Sequence, residues 1–313
     1  MDGLDRGVEL LLNEGPQRMV DHPLAAPTQP SVLEARFALT YLDVFGYLAA
    51  ELAGWTDIQL SDIKDAIKLF QGFFGLGESG DLSPATVRAM QVPRCGWPDI
   101  PRAHHEEYQR LRQAATANLA KWNKRSLTYC ITDYLPGLTQ AVQDQLAQQA
   151  FQNWCDLAQI DVRPGPQQSA DIIISVGQGN RSQFDGPGGT LAWAYLPTGS
   201  DAQLNMRFDL DESWTQTTAQ RGICYLNVAC HEFGHLLGLD HSKVQGALMA
   251  PFYAAQIDRP QANDDIPRIQ ARYGPRQTPV PVPPPPTPTP GKNRIVIESD
   301  GIVHIALNDR VLA

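Results

Sequence analysis

Apolar residues recur at helical spacing in the first third of the chain. Between residues 31 and 92 they return every three or four positions, which is the period of a helix with one buried face. Ser83 followed by Pro84 is typical of an N-cap and a first helical residue. The pattern predicts a compact three-helix domain over residues 31–92. Residues 1–30 contain several prolines without such a period, which predicts a short helix and a loose lead-in.

Further along, the pattern predicts both helix and strand. Apolar positions at helical spacing predict a long helix over about residues 139–158. A run of β-branched residues over positions 171–176 predicts a buried strand.

The end of the chain differs from the rest in composition. Prolines dominate residues 275–290 and predict an extended, semi-rigid linker. Residues 291–313 alternate as two or three short strands, with Asp300-Gly301 as a hairpin turn. This last segment is too short to hold a core alone.

Composition and charge exclude several classes of protein. With 313 residues, of which 42% are hydrophobic, the chain can form two small domains or one large one. It has no apolar run of about 18 residues, so we expect no membrane span. A net charge of −9 argues against a nucleic-acid partner, for which a basic surface is expected. Asp2, Asp5 and Glu9 stand where an export signal needs positive charge, so no signal peptide is visible.

Three histidines and a glutamate have the spacing that zinc hydrolysis requires. His231 and His235 are four residues apart, so one helical face presents both imidazoles to one ion. Glu232 lies about 100° round the helix from His231, near enough to act on a water molecule without being a ligand. Gly238 can adopt the left-handed conformation that ends a helix. The chain can then turn back and bring in His241 as a third ligand.

Three protein ligands leave the fourth position of a tetrahedral zinc open, which is typical of a catalytic site. The spacing therefore predicts a catalytic zinc with Glu232 as its general base. The alternative interpretation is a buried amphipathic helix, because Leu236, Leu237 and Leu239 would suit any core.

Several stretches of the chain resemble the matrix metalloproteinases, or matrixins, of the metzincin clan. Residues 41–48 and 70–76 look like the peptidoglycan-binding-like prodomain of this family. Residues 121–131, 190–195 and 264–274 look like parts of its protease domain. Met249 stands at the place of the metzincin Met-turn. Residues 93–99 are similar to the cysteine-switch motif and depart from it at Trp97, where a small aliphatic residue is usual.

The cysteine-switch resemblance makes Cys95 the inhibitory zinc ligand of a zymogen. A thiolate is a good zinc ligand, so Cys95 on a stiff segment could fill the fourth position and exclude water. In the family, the residues matching Arg94 and Asp99 pair with each other. The alternative is a buried structural cysteine in an interdomain turn.

The resemblance covers roughly residues 31–274 and implies an α+β fold. This is a metzincin catalytic domain, with a twisted mixed sheet, a long helix and an active-site helix, preceded by a small three-helix prodomain. A cysteine-switch segment and activation linker would occupy residues 93–120, and the protease domain residues 121–274.

Calcium and substrate contacts are implied by the same resemblance. The calcium ligands carried over are Asp185, Gly186, Gly188, Thr190, Asp209 and Glu212. The substrate-binding residues carried over are Ala192, Asn227, Pro251 and Tyr253, and a substrate would add to the strand at residues 190–195 as an antiparallel strand. The places of the family's structural zinc ligands hold Gln178, Asn180, Trp193 and Arg207, none of which is a usual zinc ligand. We therefore expect one Zn²⁺, which is catalytic, and structural Ca²⁺.

Together these features predict a secreted, latent zinc endopeptidase that cleaves extended segments of proteins or peptides. We expect a monomer without a nucleic-acid partner, located outside the cell although no signal peptide is visible. The prodomain is also a candidate for contact with a cell wall or polysaccharide. The alternative function is a wall- or polysaccharide-binding protein that carries an inactive protease domain. The pairing of the other cysteines stays open, namely Cys130, Cys155, Cys224 and Cys230.

Overall fold

The computed structural model describes most of the chain. The described residues are 31–48, 58–100, 121–179 and 184–277, with the backbone of three short strands near the C-terminus. The chain divides into two compact units, residues 1–276 and residues 277–313. Outside the described residues lie the expected lead-in at residues 1–30, the linker residues 101–120 and 278–290, Asn180, and the Asp300-Gly301 turn.

Three helices occur in the described part of residues 31–100. They are α1 (Val32–Val44), α2 (Leu60–Phe73) and α3 (Pro84–Met90). Ser31 and Ser83 cap α1 and α3, because each hydroxyl accepts a hydrogen bond from the amide three residues later. The helices meet in a core that contains Leu42 and Phe70, both fully buried. The predicted helices of this region are therefore confirmed.

A six-stranded mixed sheet is the centre of the larger unit. Its strands are β1 (Arg94–Cys95), β2 (Ser126–Ile131), β3 (Asp161–Pro164), β4 (Ile172–Gly177), β5 (Thr190–Ala194) and β6 (Leu204–Asp209). The order across the sheet is β1-β5-β6-β4-β2-β3. Only β5 and β6 are antiparallel among these neighbours. The strand predicted at residues 171–176 is β4, an interior strand, which explains its continuous apolar sequence.

Two helices pack against each other beside this sheet. They are α4 (Gln140–Cys155), which is the predicted long helix, and α5 (Tyr225–Leu236). The rings of Phe151 and Phe233 stack with their centroids 3.6 Å apart, and the Trp154 indole donates to the Cys230 carbonyl at 2.8 Å. Because both contacts are fully buried, α4 fixes the position of α5.

Shorter elements complete the described fold. They are β7 (Trp214–Thr215) and β8 (Ile223–Cys224), which pair in parallel, and α6 (Asp265–Tyr273). In the smaller unit β9 (Arg294–Ile297), β10 (Val303–Leu307) and β11 (Arg310–Val311) form an antiparallel sheet in the order β11-β10-β9. Among the described residues, no helix has the length and apolar character needed to cross a membrane.

Candidate active site

Helix α5 carries two of the three candidate ligands and the candidate base. His231, Glu232 and His235 are all buried in its C-terminal half. A Cβ atom at Gly234 would stand 2.3 Å from the Met249 sulfur and 2.9 Å from the Trp154 ring. Glycine is therefore needed between the two histidines, because Met249 and Trp154 pack directly against the helix backbone there.

A glycine cap ends α5 and turns the chain back. Gly238 has a φ of 95°. Its amide donates to the His235 carbonyl at 2.7 Å, and the Leu239 amide donates to the Gly234 carbonyl at 2.9 Å. These are the two hydrogen bonds of a Schellman motif. The reversal brings His241 back toward the helix, as the spacing predicted.

Side chains from elsewhere satisfy the last carbonyls of this helix end. The indole of Trp122, the hydroxyl of Tyr273 and the guanidinium of Arg272 donate to the carbonyls of Leu236, Leu237 and Gly238, respectively. Buried helix ends need such partners. The turn that delivers His241 is therefore anchored to both ends of the protease domain.

The three histidines and Cys95 converge on one point. One ligand atom from each side chain lies within 4.8 Å of the others. The Cys95 sulfur is 3.4 Å from His235 Nε2, close to the separation of about 3.6 Å expected for sulfur and nitrogen on one tetrahedral zinc. Nε2 of His231 and Nε2 of His241 are buried without a hydrogen-bond partner among the described residues. Such atoms need an explanation, and a shared zinc ion fits all four side chains.

Each histidine is held through its other ring nitrogen. His231 Nδ1 lies 2.7 Å from the Leu248 carbonyl oxygen, and His235 Nδ1 lies 2.7 Å from the Leu239 carbonyl oxygen. His241 Nδ1 lies 2.8 Å from Asp99 Oδ1. Carbonyl and carboxylate oxygens only accept, so Nδ1 carries the proton in each ring. Every Nε2 is then left with the lone pair that binds a metal.

The charge balance of the cluster also suits a cation. Burial lowers the pKa of His231 to about 3 and the pKa of His235 well below its ordinary value, so both imidazoles are neutral. Burial, together with the nearby Glu232 carboxylate, raises the pKa of the Cys95 thiol well above its ordinary value. A thiolate at this place therefore requires a compensating positive charge, which a divalent metal supplies.

Glu232 is placed as a proton acceptor. It is fully buried, neither carboxyl oxygen has a nitrogen or oxygen partner within the described part of the chain, and the Cys95 thiol lies close enough to donate to it. Burial raises its pKa to about 8. It lines the same cavity as His231 and Cys95. A carboxylate with a raised pKa that faces this cavity can take a proton from a water molecule held in front of it.

The segment that carries Cys95 lies in the cleft between β5 and residues 251–253. On the β5 side, the amides of Arg94 and Gly96 donate to the carbonyls of Gly189 and Ala192 at 3.0 and 2.8 Å. On the other side, the Cys95 amide donates to the Pro251 carbonyl at 2.9 Å, and the Tyr253 amide donates to the Pro93 carbonyl at 2.8 Å. Because both walls are bonded, the segment occupies the place of an added strand.

Arg94 and Asp99 form an ion pair inside the protein. Arg94 Nη2 is 2.6 Å from Asp99 Oδ1, Nη1 is 2.9 Å from Oδ2, and both side chains are at most 1% exposed. The guanidinium also lies 3.5 Å from the ring centroid of Phe45, and the Tyr47 hydroxyl donates to Asp99 at 2.7 Å. Since buried charges need such partners, these contacts tie the cysteine segment to the helical domain.

Three of the four residues expected to bind substrate line a small cavity beside Glu232. Asn227, Pro251 and Tyr253 line this cavity of about 30 Å³, which has room for a water molecule. Asn227 Nδ2 also donates to the carbonyls of residues 254 and 255, so it holds the cavity wall in place. Ala192 lies in β5, where its carbonyl accepts from the switch segment.

The six residues expected to bind calcium lie in the loop 185–190 and around the end of β6. Gly186 and Gly188 both have a φ of 88°, which favours glycine. The Thr190 amide donates to the Asp185 carboxylate at 2.7 Å, and the Gly188 amide donates to the Glu212 carboxylate at 2.5 Å. The loop is therefore folded around carboxyl groups.

Among the described residues, no ion pair compensates the charge of these carboxyl groups. Asp209 is fully buried, and its Oδ2 has no hydrogen-bond partner among the described residues. Burial raises the pKa of Asp209 to about 6, that of Glu212 to about 7 and that of Asp185 above its ordinary value; the neighbouring carboxylates add to the rise for Asp209 and Glu212. A cation with oxygen ligands would remove this repulsion. Among the described residues, only the side chains around Cys95 are gathered closely enough to hold a metal ion as they stand.

Three of the positions matching the family's structural zinc ligands are described, and their side chains bind other groups. The Arg207 guanidinium lies 5.6 Å from the Trp193 ring centroid and donates to Ser175 Oγ at 3.2 Å. Gln178 donates to Asp211 at 2.7 Å. A guanidinium in this position would repel a second dication.

All five cysteines lie in the part of the chain that the structure describes, and none forms a disulfide. Cys130 is half-buried, and the other four are buried. The pairing that the sequence left open is therefore absent from this structure.

Sequence reasoning missed three contacts at the site. Asp99 contacts His241 as well as Arg94. The carboxylate of Asp265 accepts the amides of Leu248 and Met249, and so supports the turn that holds His231. Trp97, which departs from the switch motif, donates to Asp240 Oδ1 at 3.2 Å and covers His235. All three contacts join residues distant in sequence, so no local spacing indicated them.

Comparison with known proteins agrees with this site. The sequence model of the matrixin family matches residues 121–274. Interstitial collagenase of Equus caballus is 39% identical over 226 residues, which are 70% of this chain and 45% of that protein. Matrilysin of Mus musculus is 38% identical over 228 residues, which are 70% of this chain and 81% of that protein. The chain thus spans less than half the length of the collagenases that it matches.

A cluster of potential zinc ligands on a helix beside a mixed sheet, together with these matches, defines a protein of the matrixin class with an α+β fold. The chain belongs to the matrixin family. Zinc and calcium are the cofactors of this class of protein.

Proposed function

We propose that the protein is a secreted, latent zinc endopeptidase, activated by removal of the segment that carries Cys95. The observation that carries the proposal is the convergence of His231, His235, His241 and Cys95 beside the buried carboxylate of Glu232. Three imidazoles whose Nε2 atoms face one point are a catalytic zinc set, and the thiol takes the position that water needs.

In the proposed reaction, each group has one task. His231, His235 and His241 would hold a zinc ion, which would supply a Lewis acid for the scissile carbonyl and for a water molecule. Glu232 accepts the proton of the attacking water and passes it to the leaving amine. Its raised pKa, caused by burial, suits both steps. Leu248 and Leu239 keep His231 and His235 in the tautomer that binds metal.

We propose that substrates are extended peptide segments that pair with β5. In the latent chain, Arg94 and Gly96 already bond to this strand, while Pro251 and Tyr253 bond the other side of the segment. A substrate in the same cleft would direct one side chain toward the wall formed by Asn227, Pro251 and Tyr253. One relative is named interstitial collagenase. Collagen is therefore the substrate to try first.

Further parts of the proposal concern the whole chain. The loop at residues 185–190 binds a structural calcium with Asp185, Asp209 and Glu212 and with the carbonyls of Gly186, Gly188 and Thr190. The protease acts as a monomer outside the cell. Contact of the prodomain with a cell wall or polysaccharide stays a prediction, as does the alternative of an inactive binding protein.

The test is zinc-dependent cleavage of a denatured protein by the chain cut between residues 99 and 121. We expect cleavage that a chelator stops and zinc restores, and no cleavage by the Glu232→Ala variant with its zinc content unchanged. Asp133→Ala, at an exposed carboxylate within residues 121–274, is the matched control and should cleave normally. Equal cleavage by the Glu232→Ala protein would exclude this carboxylate as the base, while zinc binding without any cleavage would favour the binding protein.

A further inference from the structure

The three candidate ligands differ in where their supporting hydrogen bonds come from. His231 and His235 are each held by a backbone carbonyl of the protease domain, from Leu248 and Leu239. His241 is held at 2.8 Å by the carboxylate of Asp99, which lies in the cysteine-switch segment. The ligand that ends the zinc motif is therefore supported by a residue that activation would remove.

Asp99 is well fixed for this contact. Its Oδ1 accepts from His241 and from Arg94 Nη2, and its Oδ2 accepts from Arg94 Nη1 and the Tyr47 hydroxyl. Both the Asp99 and the His241 side chains are at most 2% exposed. A buried carboxylate with four donors has no freedom to turn away. It holds the His241 ring in one orientation, with Nε2 directed at the cluster.

A carboxylate behind a histidine ligand also changes the ligand itself. It selects the tautomer with a proton on Nδ1 and makes the opposite nitrogen a stronger donor to metal. A backbone carbonyl does the same less strongly, because it is uncharged. Of the three rings, His241 thus has the strongest support in the latent chain.

We propose that Asp99 is a positioning residue for the metal ligand His241, so that the switch segment strengthens zinc binding through its carboxylate as well as through the Cys95 thiol. The inference rests on the proposed function, in which the three histidines hold zinc. It predicts that zinc is bound more weakly once Asp99 is lost, even where Cys95 contributes nothing.

The experiment uses the full chain with Cys95→Ala and Glu232→Ala, which removes the sulfur ligand and prevents self-cleavage. Zinc release into a coloured chelator is measured for this parent and for the parent with Asp99→Asn or Tyr47→Phe. We expect Asp99→Asn to weaken zinc binding by about 10- to 100-fold, the usual cost of losing such a partner. Tyr47→Phe, which removes a donor from the other oxygen of the same carboxylate, should leave zinc binding unchanged.

A second readout separates positioning from a general loosening of the fold. In the nitrogen-15 spectrum of the zinc-loaded parent, the proton on Nδ1 of His241 should be protected from exchange and shifted downfield by the carboxylate. The downfield shift should be lost in Asp99→Asn and kept in Tyr47→Phe. If Asp99→Asn does not fold, the parent spectrum decides, since a proton on Nε2 of His241 would contradict the inference.

The outcomes distinguish the two proposals. Equal zinc release by the parent and the Asp99→Asn chain overturns the role of Asp99 and leaves the zinc site standing. A parent that binds no zinc overturns the proposed zinc site and this inference with it.

Discussion

At the scale of single residues, Gly234 shows how tightly the zinc-binding helix is packed. Glycine in a helix costs about 1 kcal/mol relative to alanine, so an unconstrained position would favour alanine. Here, the Met249 sulfur and the Trp154 ring fill the space that a Cβ would need. The glycine is therefore a packing requirement, in the middle of the motif that carries both histidines.

We predict that Gly234→Ala destabilises the protein by about 1–3 kcal/mol, the usual cost of overpacking a core. Denaturant unfolding monitored by tryptophan fluorescence measures it. Gly77→Ala is the matched control, because a Cβ there meets nothing within 4 Å. That change should be neutral or slightly stabilising. An equally mild effect at Gly234 would mean that Met249 moves aside freely.

At the scale of elements, local spacing predicts what is local and misses what is not. The helix with His231 and His235, its end at Gly238 and the cap at Ser83 each depend on a few adjacent residues. The parallel pairing of β1 with β5 and the contact between Asp99 and His241 join segments about 100 residues or more apart. Neither has a periodic signature, because both depend on how two domains pack.

The loop at residues 185–190 supports a prediction about pH. The pKa of Asp209 is raised to about 6 and that of Glu212 to about 7. Since these values lie above those of the unfolded chain, the favourable contribution of the protonated carboxyls is lost as the pH rises through them. Without calcium, the protein should therefore become less stable between about pH 4 and about pH 7 on account of this loop.

Calcium should oppose this loss, because it compensates the ionised carboxylates. We predict a larger rise of Tm with calcium at about pH 8 than at about pH 5, with zinc kept constant. Asp209→Asn should abolish most of the rise. Asp211→Asn, at a neighbouring carboxylate that accepts a hydrogen bond from Gln178, should keep it. A calcium response that is independent of pH would count against this site.

At the scale of the whole molecule, the latent state is predicted to depend on Cys95 alone among the five cysteines. The full chain should not cleave substrate, whereas the uncut Cys95→Ser chain should, because a neutral hydroxyl is a much poorer zinc ligand. Cys130→Ser is the matched control and should stay latent, since Cys130 is half-buried outside the cluster. Continued latency of Cys95→Ser would show that filling the cleft suffices for inhibition.

The whole chain is also predicted to bind one zinc ion. The positions matching the family's structural zinc ligands hold Gln178, Trp193 and Arg207, and the last two lie against each other. Metal analysis of the purified full chain measures the ratio, and Arg207→Gln tests whether charge alone keeps zinc out. Two tightly held zinc ions per wild-type chain would contradict this prediction.

The parallel direction of β1 on β5 bears on why the protease does not digest its own inhibitor. Substrates are proposed to bind antiparallel to β5, so the switch segment runs through the cleft in the opposite direction to a substrate. A peptide bond presented in reverse directs its nitrogen where the proposed chemistry needs a carbonyl carbon. The resistance of the switch segment to cleavage would thus depend on the polarity of its peptide backbone, which no side-chain substitution can reverse.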